Sequence, residues 1–153
     1  MAGVDIFQDL KKSEIARITD SGVIRTVDSG KVLFRKGDVG HEMFIVLKGK
    51  IHIIDELDDK KKILAELGVG EIFGEMAMFE KRVRSAYAVV REPSQILVLS
   101  EDALVKLLEK KIPRKFLANV ISVLCRRLRI TNNMFMRAKY GATKQSKQFK
   151  WLD

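Results

Sequence analysis

Apolar positions along the chain change their period twice. Near the N-terminus Ile6, Phe7, Leu10, Ile15 and Ile18 recur at helical spacing, with Asp5 placed to cap the first turn and Gly22 to end the segment. From there to Ser100 the pattern breaks into short apolar runs: Val23-Ile24 with Val27, Val32–Phe34, Met43–Leu47, Ile51–Ile54, Ile63–Leu67, Ala86–Val90 and Ile96–Leu99. Gly30, Gly37-Asp38, Gly49, Asp58-Asp59, Gly68-Val69-Gly70 and Glu92-Pro93 punctuate them. Short strands separated by turn residues predict an antiparallel sandwich or barrel. A strand ending at Phe73 completes about eight, the number of a jelly roll. Helical spacing returns after Ser100, an N-cap, with Ala103, Leu104, Leu107 and Leu108 on one face. Pro113 opens a further helix that meets no Gly or Pro before Gly141. At 1.5 Å per residue, 113–138 spans about 40 Å, too long to lie wholly against one small roll.

That long helix carries two stripes. Phe116, Val120, Val123 and Ile130 form one, suited to the roll. Leu117, Ile121, Leu124, Leu128, Thr131, Phe135 and Ala138 form the other, at spacings of four and three. The second is a heptad seam over three heptads and predicts a homodimer through 113–138. Thr131 is its polar exception. A buried hydroxyl needs a partner, which is either its own helix or a polar group beside it.

Composition fits one domain. The 153 residues are 46% hydrophobic and 32% charged, an ordinary globular balance. The predicted organisation is a domain over 1–138 and a basic tail over 139–153. No apolar run is long enough for a membrane span, and the N-terminus lacks the basic segment of a secretory signal. The single cysteine, Cys125, cannot form an intrachain disulfide. These features predict a cytoplasmic protein. Charge is uneven: residues 1–109 hold 17 Lys+Arg and 19 Asp+Glu, net −2, while 110–153 hold 12 Lys+Arg and one acid, net +11. The basic end suits an acidic partner, whether nucleic acid, membrane surface or protein, unless it is a solvated helix face with a frayed tail.

Catalytic and metal chemistry is not predicted. His41 and His52 are far apart and lack the His-x-His spacing of metal-binding jelly rolls, no Ser/His/Asp or Cys/His set stands out, and there is no Walker motif. One segment is built differently: Ile72-Phe73-Gly74-Glu75-Met76-Ala77-Met78-Phe79-Glu80-Lys81-Arg82-Val83-Arg84-Ser85-Ala86. A strand ends at Phe73, Gly74 permits a tight turn, Met76–Phe79 form a short helical turn, and a strand resumes at Ser85. A helix N-terminus attracts anions, Arg84 offers a planar fork suited to phosphate, and Glu75 can accept from a sugar hydroxyl. The set suits a sugar phosphate or nucleotide; a surface loop with two ordinary charges is the competing reading.

This stretch resembles the phosphate-binding cassette of the cyclic-nucleotide-binding domain family, which runs Phe/Ile-Gly-Glu-(Leu/Ile)-(Ala/Gly)-Leu and then Arg-(Ser/Thr/Ala)-Ala. Phe34-Arg35-Lys36-Gly37-Asp38 resembles that family's entry turn, and Phe44–Lys50 its first strand pair. The resemblance covers about residues 5–138. It implies a mainly β fold: an eight-stranded antiparallel jelly roll, an N-terminal helix, a short cassette helix and two C-terminal helices. It gives Glu75 the ribose 2′-hydroxyl and Arg84 the cyclic phosphate, within the Phe73-Gly74-Glu75-Met76-Ala77 stretch. Gly74, Met76 and Ala77 would supply cassette backbone, and Ser85 with Ala86 would complete the phosphate site. Arg82 is a rival cation; Arg84 is preferred because it directly precedes Ser-Ala. Met76, Met78 and Val83 depart from the commonest residues of the pattern. Cys125-Arg126-Arg127-Leu128-Arg129-Ile130-Thr131-Asn132 is similar to the dimer helix of the bacterial catabolite-activator branch. There a Thr-Ser pair reaches the adenine. The resemblance therefore implies that Thr131 contacts the base from its own chain and Asn132 from the partner chain. It implies a cyclic AMP ligand, with cyclic GMP second, and no metal. About 15 residues follow the long helix, too few for a helix-turn-helix, so the expectation is a stand-alone, non-enzymatic sensor acting on an unidentified downstream protein. The alternative is a basic homodimeric module for nucleic acid or an acidic partner, with the roll as scaffold.

Overall fold

A computed structural model describes residues 5–80, 83–109 and 114–141. Six strands form one sheet: β1 (Val23–Val27), β2 (Val32–Phe34), β3 (Glu42–Leu57), β4 (Lys60–Leu67), β5 (Ile72–Phe73) and β6 (Tyr87–Ser100). The helices are α1 (Lys12–Asp20), α2 (Glu75–Glu80), α3 (Glu101–Glu109) and α4 (Arg114–Tyr140). The sheet order is β1-β6-β3-β4, with β2 on β6 and β5 on β3, and all pairs are antiparallel. The eight expected runs become six strands because β3 and β6 each hold two of them. Each bends continuously through its turn residues, with register shifts between Val46 and Ile51 around Gly49.

Alternation decides what each strand buries, since successive side chains take opposite faces. Phe44, Val46, Phe73, Ile96 and Val98 point into the roll and pack with Val27, Ile51, Leu67 and Val90. Met43, Ile45, Ile72, Leu97 and Leu99 point outward, under a helical layer supplied by Ile18, Leu104, Leu107, Phe116, Val120 and Val123. The central strands are therefore covered on both faces.

The first helix begins later than its apolar spacing suggests. Asp5 caps a turn, accepting from the Phe7 amide at 2.8 Å. Asp9 then takes a positive φ of 62° and breaks the run. The helix starts after Lys11, whose amide donates to Glu14 Oε1 at 2.9 Å. The Ile6 amide is used elsewhere, on Gly70 O at 2.8 Å, which ties the N-terminal turn to the roll. Ser100 does cap α3, accepting from the Ala103 amide at 3.1 Å.

Phe116, Val120 and Val123 of α4 are buried as expected, but Ile130 is exposed. The helix has run off the roll by then: its last buried residue is Val123. The seam residues Leu117, Ile121, Leu124, Leu128 and Phe135 are all exposed in the single chain. Asn119, which neither stripe includes, is buried and donates from Nδ2 to Ile6 O at 3.0 Å and Gln8 O at 2.9 Å. It locks α4 to the N-terminal turn. Asn119→Ala deletes both bonds and strands the buried Ile6 carbonyl, so it should lower unfolding free energy by about 2 kcal/mol, read from the urea midpoint. Among the described residues, no helix is long and apolar enough to cross a membrane. Pro113 and most of the predicted tail, from residue 142, lie outside the described residues.

Candidate anion-binding site

Three segments assemble the site around Arg84 and Glu75. The first is the β5–α2 corner. Phe73 pairs opposite Phe44 across β5 and β3, and their rings stack with centroids 4.9 Å apart. Gly74 then takes φ +78°, a conformation that strains residues with a Cβ, and turns the chain into α2. A Cβ there would also lie 2.8 Å from Arg84 Nη1 and 2.9 Å from Phe44. Helix α2 buries Glu75, Ala77 and Met78 and exposes Met76 and Phe79.

The second segment is the entry turn after β2. The Asp38 carboxylate accepts from the Arg35 amide at 2.9 Å and so closes the turn. The turn then holds the Arg84 backbone: the Gly37 amide donates to Arg84 O at 2.8 Å, and the Arg84 amide to Asp38 O at 2.7 Å. Val39 and Val83 bridge beside it. Ser85 is exposed next to the site and Ala86 is buried.

Arg84 is only 5% exposed, unusual for an arginine. Its carbon lies 4.4 Å from the Phe34 ring centre and 5.5 Å from that of Phe44. Nη1 donates to Gly74 O at 2.8 Å. Burial pulls its pKa below the ordinary guanidinium value, and the nearby charges of Glu42, Asp38 and Glu75 oppose that pull. No ion pair joins Arg84 to any of these three carboxylates. A buried, positioned cation without a carboxylate in contact is suited to receive an anion. Its position depends on a gap at Gly40, where a Cβ would lie 2.1 Å from Arg84 Nε. Gly40→Ala should push the guanidinium off its place. Titration should show anion-ligand affinity falling by about tenfold or more, with little change in the thermal midpoint.

The third segment is α4. Arg127, 31% exposed at the side chain, donates from Nη1 to Glu75 Oε1 at 2.7 Å and from Nη2 to Ile72 O. The predicted ribose acceptor is thus already an ion-pair partner of the long helix. Sequence reading missed Arg127 among the neighbouring basic residues. The signal was its spacing: Arg127 lies four residues before Thr131, on the same helix face. The Thr131 hydroxyl donates to Arg127 O at 2.8 Å, so in the single chain it is satisfied by its own helix. Thr131 and Asn132 are exposed one turn beyond the cassette contact.

The structure thus brings Phe73, Gly74, Glu75 and Arg84 together. Arg82 lies outside the described residues. Among the described residues, no group of three or more His, Cys, Asp or Glu side chains is placed to hold a metal. A cleft of about 340 Å³ lies elsewhere, lined by Arg17, Asp20, Ser21, Ala103, Lys106 and Leu107 of α1, α3 and the residue after α1. Its mixed charges concentrate no comparable chemistry.

Comparison with known proteins adds to this geometry. The cyclic nucleotide-binding domain model matches residues 24–111, more than half of the chain. The chain belongs to the cyclic nucleotide-binding domain family. It is similar to the cyclic AMP receptor protein of Thermus thermophilus, with 32% identity over 84% of this chain and 59% of that protein. It superposes on the crystal structure of the Thermus thermophilus catabolite activator protein with a TM-score of 0.76 and 30% identity, covering 86% of this chain and 61% of the other. It superposes on a cyclic nucleotide-binding domain from Methylobacillus flagellatus with a TM-score of 0.77 and 27% identity, covering 89% and 78%. The chain spans about three fifths of the Thermus thermophilus proteins. The cyclic nucleotide-binding fold accounts for the roll and its flanking helices as observed.

Proposed function

We propose that the chain is a non-enzymatic cyclic nucleotide sensor that binds cyclic AMP, and cyclic GMP more weakly. The observation that carries this is the buried Arg84 guanidinium, which has no carboxylate in ion-pair contact among the described residues, close to the buried Glu75 carboxylate. One cation and one carboxylate match a cyclic phosphate and a ribose hydroxyl. Arg84 takes the phosphate, with Ser85, Ala86 and the backbone of Gly74, Met76 and Ala77 around it. Glu75 accepts from the 2′-hydroxyl. The base lies against α4, where Thr131 contacts it from one chain and Asn132 from a second copy. Cyclic AMP is preferred because Ser rather than Thr follows Arg84. The name of the Thermus thermophilus relative is in line with that choice.

Signalling follows from the Glu75–Arg127 pair. A ribose hydroxyl bound to Glu75 changes the partner set of the carboxylate that holds α4 to the cassette. Ligand therefore has different affinities for different α4 positions, which is the source of any switch. The domain runs over 1–138, and its output leaves through α4 and its exposed seam to a second copy. Isothermal titration of nucleotide-free protein with cyclic AMP and cyclic GMP tests the reading. Micromolar or tighter binding, stronger for cyclic AMP, is expected; no heat with either nucleotide overturns it.

A further inference from the structure

We propose that Phe34, backed by Phe44, is a positioning residue that holds the Arg84 guanidinium over its ring and so presents the cation, already desolvated, to the anionic ligand. The proposal rests on the cyclic nucleotide reading above and goes beyond the residues assigned there. Nothing in the cassette pattern itself points to position 34, which lies fifty residues earlier, at the end of β2.

The geometry carries it. Phe34, Phe44 and Phe73 form one aromatic cluster, with centroids 5.7 Å apart for Phe34–Phe44, 6.1 Å for Phe34–Phe73 and 4.9 Å for Phe44–Phe73. Phe44 and Phe73 are buried in the roll, and Phe34 packs on them from the rim. The Arg84 carbon lies closer to Phe34, at 4.4 Å, than to Phe44, at 5.5 Å. Both distances are within cation–π range. The ring attracts the charge through its quadrupole and carries no lone pair, so it does not take up N–H donors as a carboxylate does. The ring's attraction and hydrogen bonding to an anion thus do not compete for the same lone pairs. The rings hold Arg84 without consuming the donors a phosphate needs. A carboxylate in the same role would bind those donors and cancel the charge. The neighbouring acids Asp38, Glu42 and Glu75 instead act on Arg84 at a distance. Arg84 is thereby kept charged, dry and oriented before ligand arrives, which lowers the ordering cost of binding.

The test separates the ring's electrostatics from its bulk. Position 34 is replaced by phenylalanines carrying one, two and three fluorines, which drain the negative face and keep the shape. Cyclic AMP affinity is then measured by titration. A graded loss reaching about five- to twentyfold across the series is expected. Phe34→Leu should fall at the weak end, and Phe34→Tyr should bind like the wild type, with thermal midpoints of the series unchanged. Equal affinity across the series overturns the proposal and leaves the nucleotide reading intact. A second readout needs no ligand: the Arg84 Nε–H proton should be shifted upfield by the ring, retained in Phe34→Tyr and returned to its ordinary position in Phe34→Leu. If the wild type binds neither cyclic nucleotide, the nucleotide reading fails, and the positioning claim stands or falls on that resonance. An unshifted wild-type resonance overturns it.

Discussion

Arg84→Leu is expected to weaken cyclic AMP binding by about a hundredfold or more while the roll stays folded. The side chain is buried, and its backbone is fixed by the entry turn through Gly37 and Asp38. That backbone anchorage survives the substitution. What is lost is a cation able to make charge-assisted hydrogen bonds, each stronger than a neutral one. Two such bonds to phosphate, at about 1.5–3 kcal/mol each, amount to two or more decades of affinity. Leucine also fills part of the space over Phe34 and Phe44 with apolar atoms, so the aromatic floor stays covered. Arg84→Lys is the informative companion. It keeps the charge and loses the planar fork, so its affinity should fall between wild type and Arg84→Leu. Titration gives the affinities, and circular dichroism with a thermal scan shows that the fold is retained. A folded Arg84→Leu protein with wild-type affinity would remove Arg84 from the site.

The second large effect is expected on the seam of α4. Leu128 and Ile121 are 62% and 59% exposed in the single chain, so neither supports the fold of its own roll. Leu128→Glu should therefore leave the thermal stability of the monomer nearly unchanged. In a symmetric dimer, by contrast, the change is felt twice. Two leucines lose burial worth about 1.5–3 kcal/mol each, and two carboxylates are brought together in an apolar seam. The dimer dissociation constant should rise by about a thousandfold or more, seen by sedimentation velocity as a shift to monomer at micromolar concentration. If Asn132 reaches the base from the partner chain, cyclic AMP affinity should fall with it. A wild-type chain that sediments as a monomer, with and without nucleotide, would sink the dimer.

The period-2 runs, turn residues and Ser100 cap give the roll, α3 and α4, because each depends on residues that are near neighbours in the chain. The inner stripe of Phe116, Val120 and Val123 is legible for the same reason: one helical period places them on one face. Glu75 and Arg84 could be singled out because they stand nine positions apart in one segment that the Gly74 turn opens. Local periodicity fails where a competing long-range contact intervenes. Ile6 fits a helical pattern, but its amide is taken by Gly70, and the helix starts six residues later. Ile130 fits the roll-facing stripe, but the roll ends before the helix does.

Read alone, then, the chain determines its fold class, the order of its elements and the position of its cassette. Tertiary structure alone decides which side chains complete the site. Arg127 reaches Glu75 across 52 residues, Phe34 underlies Arg84 across fifty, and Asn119 finds Ile6 O across 113. The physical reason is common to all three. Turns and caps are set by backbone sterics and by hydrogen bonds within a few residues, so they leave a pattern along the chain. An ion pair, a cation over a ring or a buried amide depends on which surfaces the fold brings together, and that proximity is not written in the separation of the two partners along the chain.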